Sequence, residues 1–114
     1  MQKIQILVIC SHQEILQTIL RLINQNEKWQ ATGASDSMKA EEIYEDAVFN
    51  LVLMGSGISG DAEKKMINKF REQRPGIKVI QHFGGGSGLL FNEIEAALTD
   101  EKNGNFGDME NQLK

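Results

Sequence analysis

The chain has 114 residues, 40% hydrophobic and 25% charged, which suits one globular domain with a single core. Its formal net charge of −4 works against a broad nucleic-acid-binding surface, and no apolar run approaches membrane-spanning length. The lone cysteine, Cys10, excludes an intramolecular disulfide and fits a reducing, cytoplasmic setting.

Ile4 to Ile9 (IQILVI) is a short aliphatic run that predicts a strand buried on both faces, as in a parallel sheet. Ser11-His12-Gln13-Glu14 has the capping-box pattern and predicts a helix start, with Ile15, Ile19, Leu20 and Ile23 as its apolar stripe. Trp29 to Ala34 predicts a second strand. Ser35-Asp36-Ser37 reads as a turn and cap before an acidic helix from Met38 to Asp46. Phe49 to Met54 predicts a third strand, and Gly55 to Gly60 a loop. A third helix follows from Asp61 to Gln73, with Met66, Ile67 and Phe70 inward; Arg74-Pro75-Gly76 ends it, because proline cannot continue a helix. Ile77 to Phe83 predicts a fourth strand, and Gly84 to Gly88 a glycine-rich loop. Leu90, Ile94, Ala97 and Leu98 mark a last amphipathic helix. The expected organisation is an α/β domain over 1–99 and a polar, mobile tail over 100–114.

Strand and helix alternate through the chain, which implies a parallel sheet with helices on both faces and right-handed crossovers. Ligands of such sheets sit at the carboxyl ends of the strands. Three segments lie there: Cys10 to His12, Gly55 to Gly60 and Phe83 to Gly88.

Taken in order, IQILVICSHQEILQTILRLI, ATGASDSMKAEE, FNLVLMGSGISG and FREQRPGIKVI resemble the successive segments of a response-regulator receiver, over about residues 3–83. The resemblance implies a flavodoxin-like three-layer sandwich with strand order 2-1-3-4-5. Only a few loop residues separate Phe83 from the last helix, so the fifth strand and one helix are expected to be missing, leaving about four strands.

The departures from the family pattern bear on chemistry. Where the resemblance sets the acidic pair that holds Mg²⁺, this chain has Cys10 and Ser11; where it sets the phosphate-accepting aspartate, the chain has Gly55. The switch position aligns with Phe83, and the lysine of the fifth strand has no counterpart. These four positions, Cys10, Ser11, Gly55 and Phe83, therefore read as an inactive remnant of a phosphorylation pocket, with no catalytic residue, metal or cofactor expected. Ser56, Gly57, Gly84, Gly85 and Gly86 form a candidate loop for an anionic ligand or nucleotide, although neither loop carries a Walker lysine. Loss of the fifth strand would make the fourth an edge, which suggests a homodimer through Val79, Ile80, Phe83, Leu90 and Phe91, or exchange of the last helix about the glycine loop.

Other signals carry blander readings. Cys10 after the first strand resembles the phosphocysteine of phosphotransferase-system IIB proteins, but Glu14 just after it would repel phosphate, and a lone cysteine usually packs as a small apolar residue. His12 and His82 have no zinc-site spacing with Cys10. Glu41, Glu42, Glu45 and Asp46 make the second helix acidic, and Lys64, Lys65, Lys69, Arg71, Arg74 and Lys78 make the third basic; mutual compensation between neighbours is expected, with no nucleic-acid or membrane contact. The expected role is a non-enzymatic, receiver-like interaction or regulatory module, acting as a homodimer or on a partner protein.

Overall fold

A computed structural model of the chain describes residues 3–55, 57–81 and 87–102. The chain divides into two compact units, Met1–Phe83 and Gly84–Lys114. The first unit holds strands β1 (Ile4–Ile9), β2 (Trp29–Ala34), β3 (Leu51–Met54) and β4 (Lys78–Gln81), with helices α1 (Gln13–Asn24), α2 (Ser37–Asp46) and α3 (Gly60–Gln73). The second holds α4 (Ser87–Lys102). All strand pairs are parallel, in the order β2-β1-β3-β4.

Burial follows from the alternation of side chains along each strand. Leu7, Ile9, Val52 and Met54 share a core with Ala34, with Ala40 and Tyr44 of α2, and with Met66 and Phe70 of α3. Residues one position away point to the opposite face, where a Cβ placed on Gly33 would come within 2.8 Å of Leu20 and 3.1 Å of Leu16. That face is the one α1 covers, so β1 and β3 are buried on both sides and read as continuous aliphatic runs. This is the parallel sheet with helices on both faces expected from the alternation, and the α/β flavodoxin-like sandwich that the resemblance implied.

Helix starts differ in how they are capped. Asp36 accepts a hydrogen bond from the Lys39 amide, and Ser59 from the Ala62 amide. The box expected at Ser11 is not formed: His12 is the N-cap of α1 and gives no side-chain cap bond. The Ser11 side chain lies instead against Gly57. The stripe of α1 is also rotated, with Leu16, Ile19 and Ile23 buried while Ile15 is 46% exposed. On α4, Leu90, Ile94 and Ala97 are buried, Leu98 is half-buried, and the helix runs on to Lys102.

Candidate functional site

The carboxyl ends of β1 and β3 lie side by side, because the parallel register sets Ile9 opposite Met54. The Gly55 amide donates to the Ile9 carbonyl at 2.6 Å, and the Cys10 amide donates to the Ala34 carbonyl at 3.1 Å. Three strand ends are thus tied together by main chain.

Cys10 is fully buried, and its thiol donates to the His12 carbonyl at 3.7 Å. A Cβ placed on Gly55 would stand 2.9 Å from the Cys10 Cβ, 3.2 Å from its Sγ and 3.2 Å from the Ile9 oxygen. The first distance is shorter than carbon atoms tolerate without displacement. Gly55 is therefore the steric complement of Cys10. A second pair sits alongside. Gly57 has φ of +93°, a conformation that favours glycine, and a Cβ there would fall 1.7 Å from the Ser11 Oγ and 3.5 Å from the His12 Cδ2. Cys10 against Gly55, and Ser11 against Gly57, interlock the β1–α1 and β3–α3 loops.

Among the described residues, no three His, Cys, Asp or Glu side chains gather closely enough to hold a metal ion. Two carboxylates near this end of the sheet are engaged elsewhere: Asp36 caps α2, and Glu63 accepts from the Gln81 amide. Of the remaining candidates, Ser56, His82, Phe83, Gly84, Gly85 and Gly86 lie outside the described residues. Val79 and Ile80 are half-buried on β4; Leu90 is buried and Phe91 half-buried on α4. α2 and α3 are neighbours, with Lys69 Nζ 3.2 Å from Glu41 Oε1, an exposed pair worth a fraction of a kcal/mol.

Sequence reasoning passed over Tyr44. It is buried between Phe70, at 4.1 Å between ring centroids, and Phe49, at 6.1 Å, and its hydroxyl donates to the Phe70 carbonyl at 3.2 Å. Burial pushes the phenol above its usual value of 10.0, and the nearby Arg74 charge works in the opposite direction. Its spacing of four from Ala40 on a helix was the available signal.

No family model and no curated protein matches the chain. Solved structures do. The chain is similar to a CheY-like response-regulator receiver domain protein from Methanospirillum hungatei JF-1, with TM-score 0.78 and 15% identity over 90% of this chain and 98% of the other. This is a receiver-domain fold. A signal receiver domain of an HD domain-containing protein from Pseudomonas fluorescens Pf-5 matches with TM-score 0.76 and 15% identity, over 90% of this chain and 99% of that one. A response-regulator receiver domain from Clostridium thermocellum is 24% identical, with TM-score 0.62, over 82% of this chain and 73% of that one. The order β2-β1-β3-β4 is the arrangement that the sequence resemblance implied for the first four strands.

Proposed function

We propose that this receiver is a regulatory interaction module that works without accepting a phosphoryl group. One observation carries the reading: at Gly55, the end of β3, even a methyl group would strike the buried Cys10 side chain. The resemblance sets the phosphate-accepting carboxylate at that position and the metal-binding acids at Cys10 and Ser11. Phosphoryl transfer depends on a positioned nucleophile and on a cation that neutralises developing charge. Mg²⁺ takes oxygen ligands, and neither a thiol nor a lone hydroxyl substitutes for a pair of carboxylates. What the fold retains is a rigid sheet and its helix surfaces. Regulation then comes from binding, and the partner is a protein rather than nucleic acid, in keeping with the net charge of −4.

The test is incubation with acetyl phosphate and Mg²⁺, and separately with beryllofluoride and Mg²⁺, followed by intact mass and amide chemical shifts. Neither should change. A phosphate adduct, or shifts confined to the strand ends, overturns the proposal. An adduct lost in Cys10→Ser would support a phosphocysteine carrier instead; the complete burial of Cys10 speaks against that outcome.

A further inference from the structure

β2 is an outer strand: among the described residues it pairs with β1 alone. Its six residues, WQATGA, include no proline and no charge, and no bulge interrupts its register with β1. The strand itself therefore lacks the devices that normally blunt an edge. In a parallel pair alternate residues turn their N–H and C=O toward the neighbour, and the residues between turn theirs away. The Ile4 amide donates to the Lys28 carbonyl and the Cys10 amide to the Ala34 carbonyl, so the amides of Trp29, Ala31 and Gly33 face outward. A strand from another chain would have to bond to these three.

Two of the three are already engaged. Trp29 donates to the Asn26 carbonyl at 3.1 Å, and Ala31 donates to Asn24 Oδ1 at 2.9 Å. Asn24 is the last residue of α1, and its side-chain oxygen stands where a carbonyl of an added strand would have to stand. We infer that Asn24 is a plug, which fills the middle of the β2 edge and closes it to strands of other chains.

The helix exit does not need this side chain. The Gln25 amide donates to the Leu22 carbonyl at 3.3 Å and the Asn26 amide to the Ile23 carbonyl at 3.0 Å, so main chain serves the last turn of α1. Asn26 holds the turn that follows, its Oδ1 accepting from the Lys28 amide at 2.8 Å. The Asn24 oxygen is thus spent on the sheet edge. With Trp29 and Ala31 taken, Gly33 alone keeps an outward amide, and one ladder bond cannot hold an incoming strand against the entropy of ordering it. A partner of this module docks elsewhere than on β2, whether or not the module accepts phosphate.

Amide hydrogen exchange and light scattering on the full chain test the plug. The Ala31 amide should exchange about tenfold or more slowly in the parent than in Asn24→Ala, which removes its acceptor. Asn24→Asp keeps an acceptor oxygen on a stem of the same length and should restore the protection. Far-UV circular dichroism should be the same for all three. In size-exclusion chromatography with light scattering over a micromolar series, Asn24→Ala should associate at concentrations about tenfold lower than the parent and Asn24→Asp. A parent whose Ala31 amide exchanges as fast as that of Gly33 overturns the inference, and this comparison needs no variant to fold. Equal exchange at Ala31 in the parent and Asn24→Ala overturns it too. So does a folded Asn24→Ala that associates no more than the parent, or an Asn24→Asp that associates as Asn24→Ala does.

Discussion

Replacing Gly55 by alanine measures how tightly the ends of β1 and β3 are packed. The added methyl carbon must come to 2.9 Å from the Cys10 Cβ and 3.2 Å from the Ile9 carbonyl oxygen, both anchored directly to the backbone at the buried end of β1. Neither neighbour is the free end of a flexible side chain, so relief requires the strands to part. Overpacking of this kind costs about 1–3 kcal/mol. Alanine recovers about 0.4–1 kcal/mol by restricting the unfolded chain. Backbone strain does not enter, since Gly57 is the glycine with positive φ among the described residues. The net expectation is a loss of about 1–2 kcal/mol, or roughly 5–10 °C in Tm for a domain of this size.

The diagnostic quantity is the coupling to position 10. Cys10→Gly removes the Cβ and Sγ that the new methyl would crowd and leaves the Ile9 oxygen at 3.2 Å, at the separate cost of an emptied core position. In that background Gly55→Ala should cost markedly less, giving an interaction energy of about 1 kcal/mol or more in a double-mutant cycle. Distant sites add to within about 0.5 kcal/mol. Urea unfolding of the four proteins, with m-values compared, supplies the numbers. Additive effects, or a Gly55→Ala protein at least as stable as the parent, would refute the steric complementarity and with it the main support for the proposed function.

Two further outcomes follow from the same interlocked region and its surroundings. Gly57→Ala combines a positive φ of 93° with an approach of 2.9 Å to the Ser11 Cβ, which turning the Ser11 hydroxyl aside does not relieve, so it should cost about 2–3 kcal/mol in thermal or urea unfolding; Ser11→Gly should recover only the steric share, leaving about 1 kcal/mol of backbone strain. Tyr44→Phe keeps the ring stack and removes the hydroxyl that donates to the Phe70 carbonyl, a loss of about 0.5–1.5 kcal/mol at neutral pH. Tyr44 titrates above its usual value when folded, so its neutral form contributes fully below pH 10.0, and that contribution is lost as pH rises through the raised folded value. Unfolding curves collected above that pH should converge for the parent and Tyr44→Phe; a gap that widens instead contradicts the assignment.

The order of elements was legible because local patterns and the global fold agree: aliphatic runs at β1 and β3, helical spacing between them, and Pro75 just beyond α3. The phase of α1 was not. Ile15 and Leu16 both extend a spacing that includes Ile19 and Ile23, and only the sheet face beneath the helix decides that Leu16 turns inward. The capping box failed for a related reason. Its serine is drawn toward a glycine 46 positions away, a partner that no local motif records. At the candidate site the residue types could be read, since Gly55, Cys10 and Ser11 stand plainly in the chain. Their mutual contact could not, because it arises from the register that sets Ile9 against Met54.

That register also shapes how the molecule is assembled. Of these four strands β1 is made first, yet it ends up inside the sheet, with β2 on one side and β3 on the other. Gln5 cannot exchange hydrogen bonds with Asn50 until the chain has grown by 45 positions, and the aliphatic run of β1 must wait, half of its pairing potential unused, for that length of chain to emerge. Closing so wide an interval costs entropy before any contact repays it. Through that delay the helix immediately after β1, with Leu16, Ile19 and Ile23 on its inner side, is the nearest apolar cover, and α1 thereby serves the growing chain as a local guardian of the strand it later helps to bury.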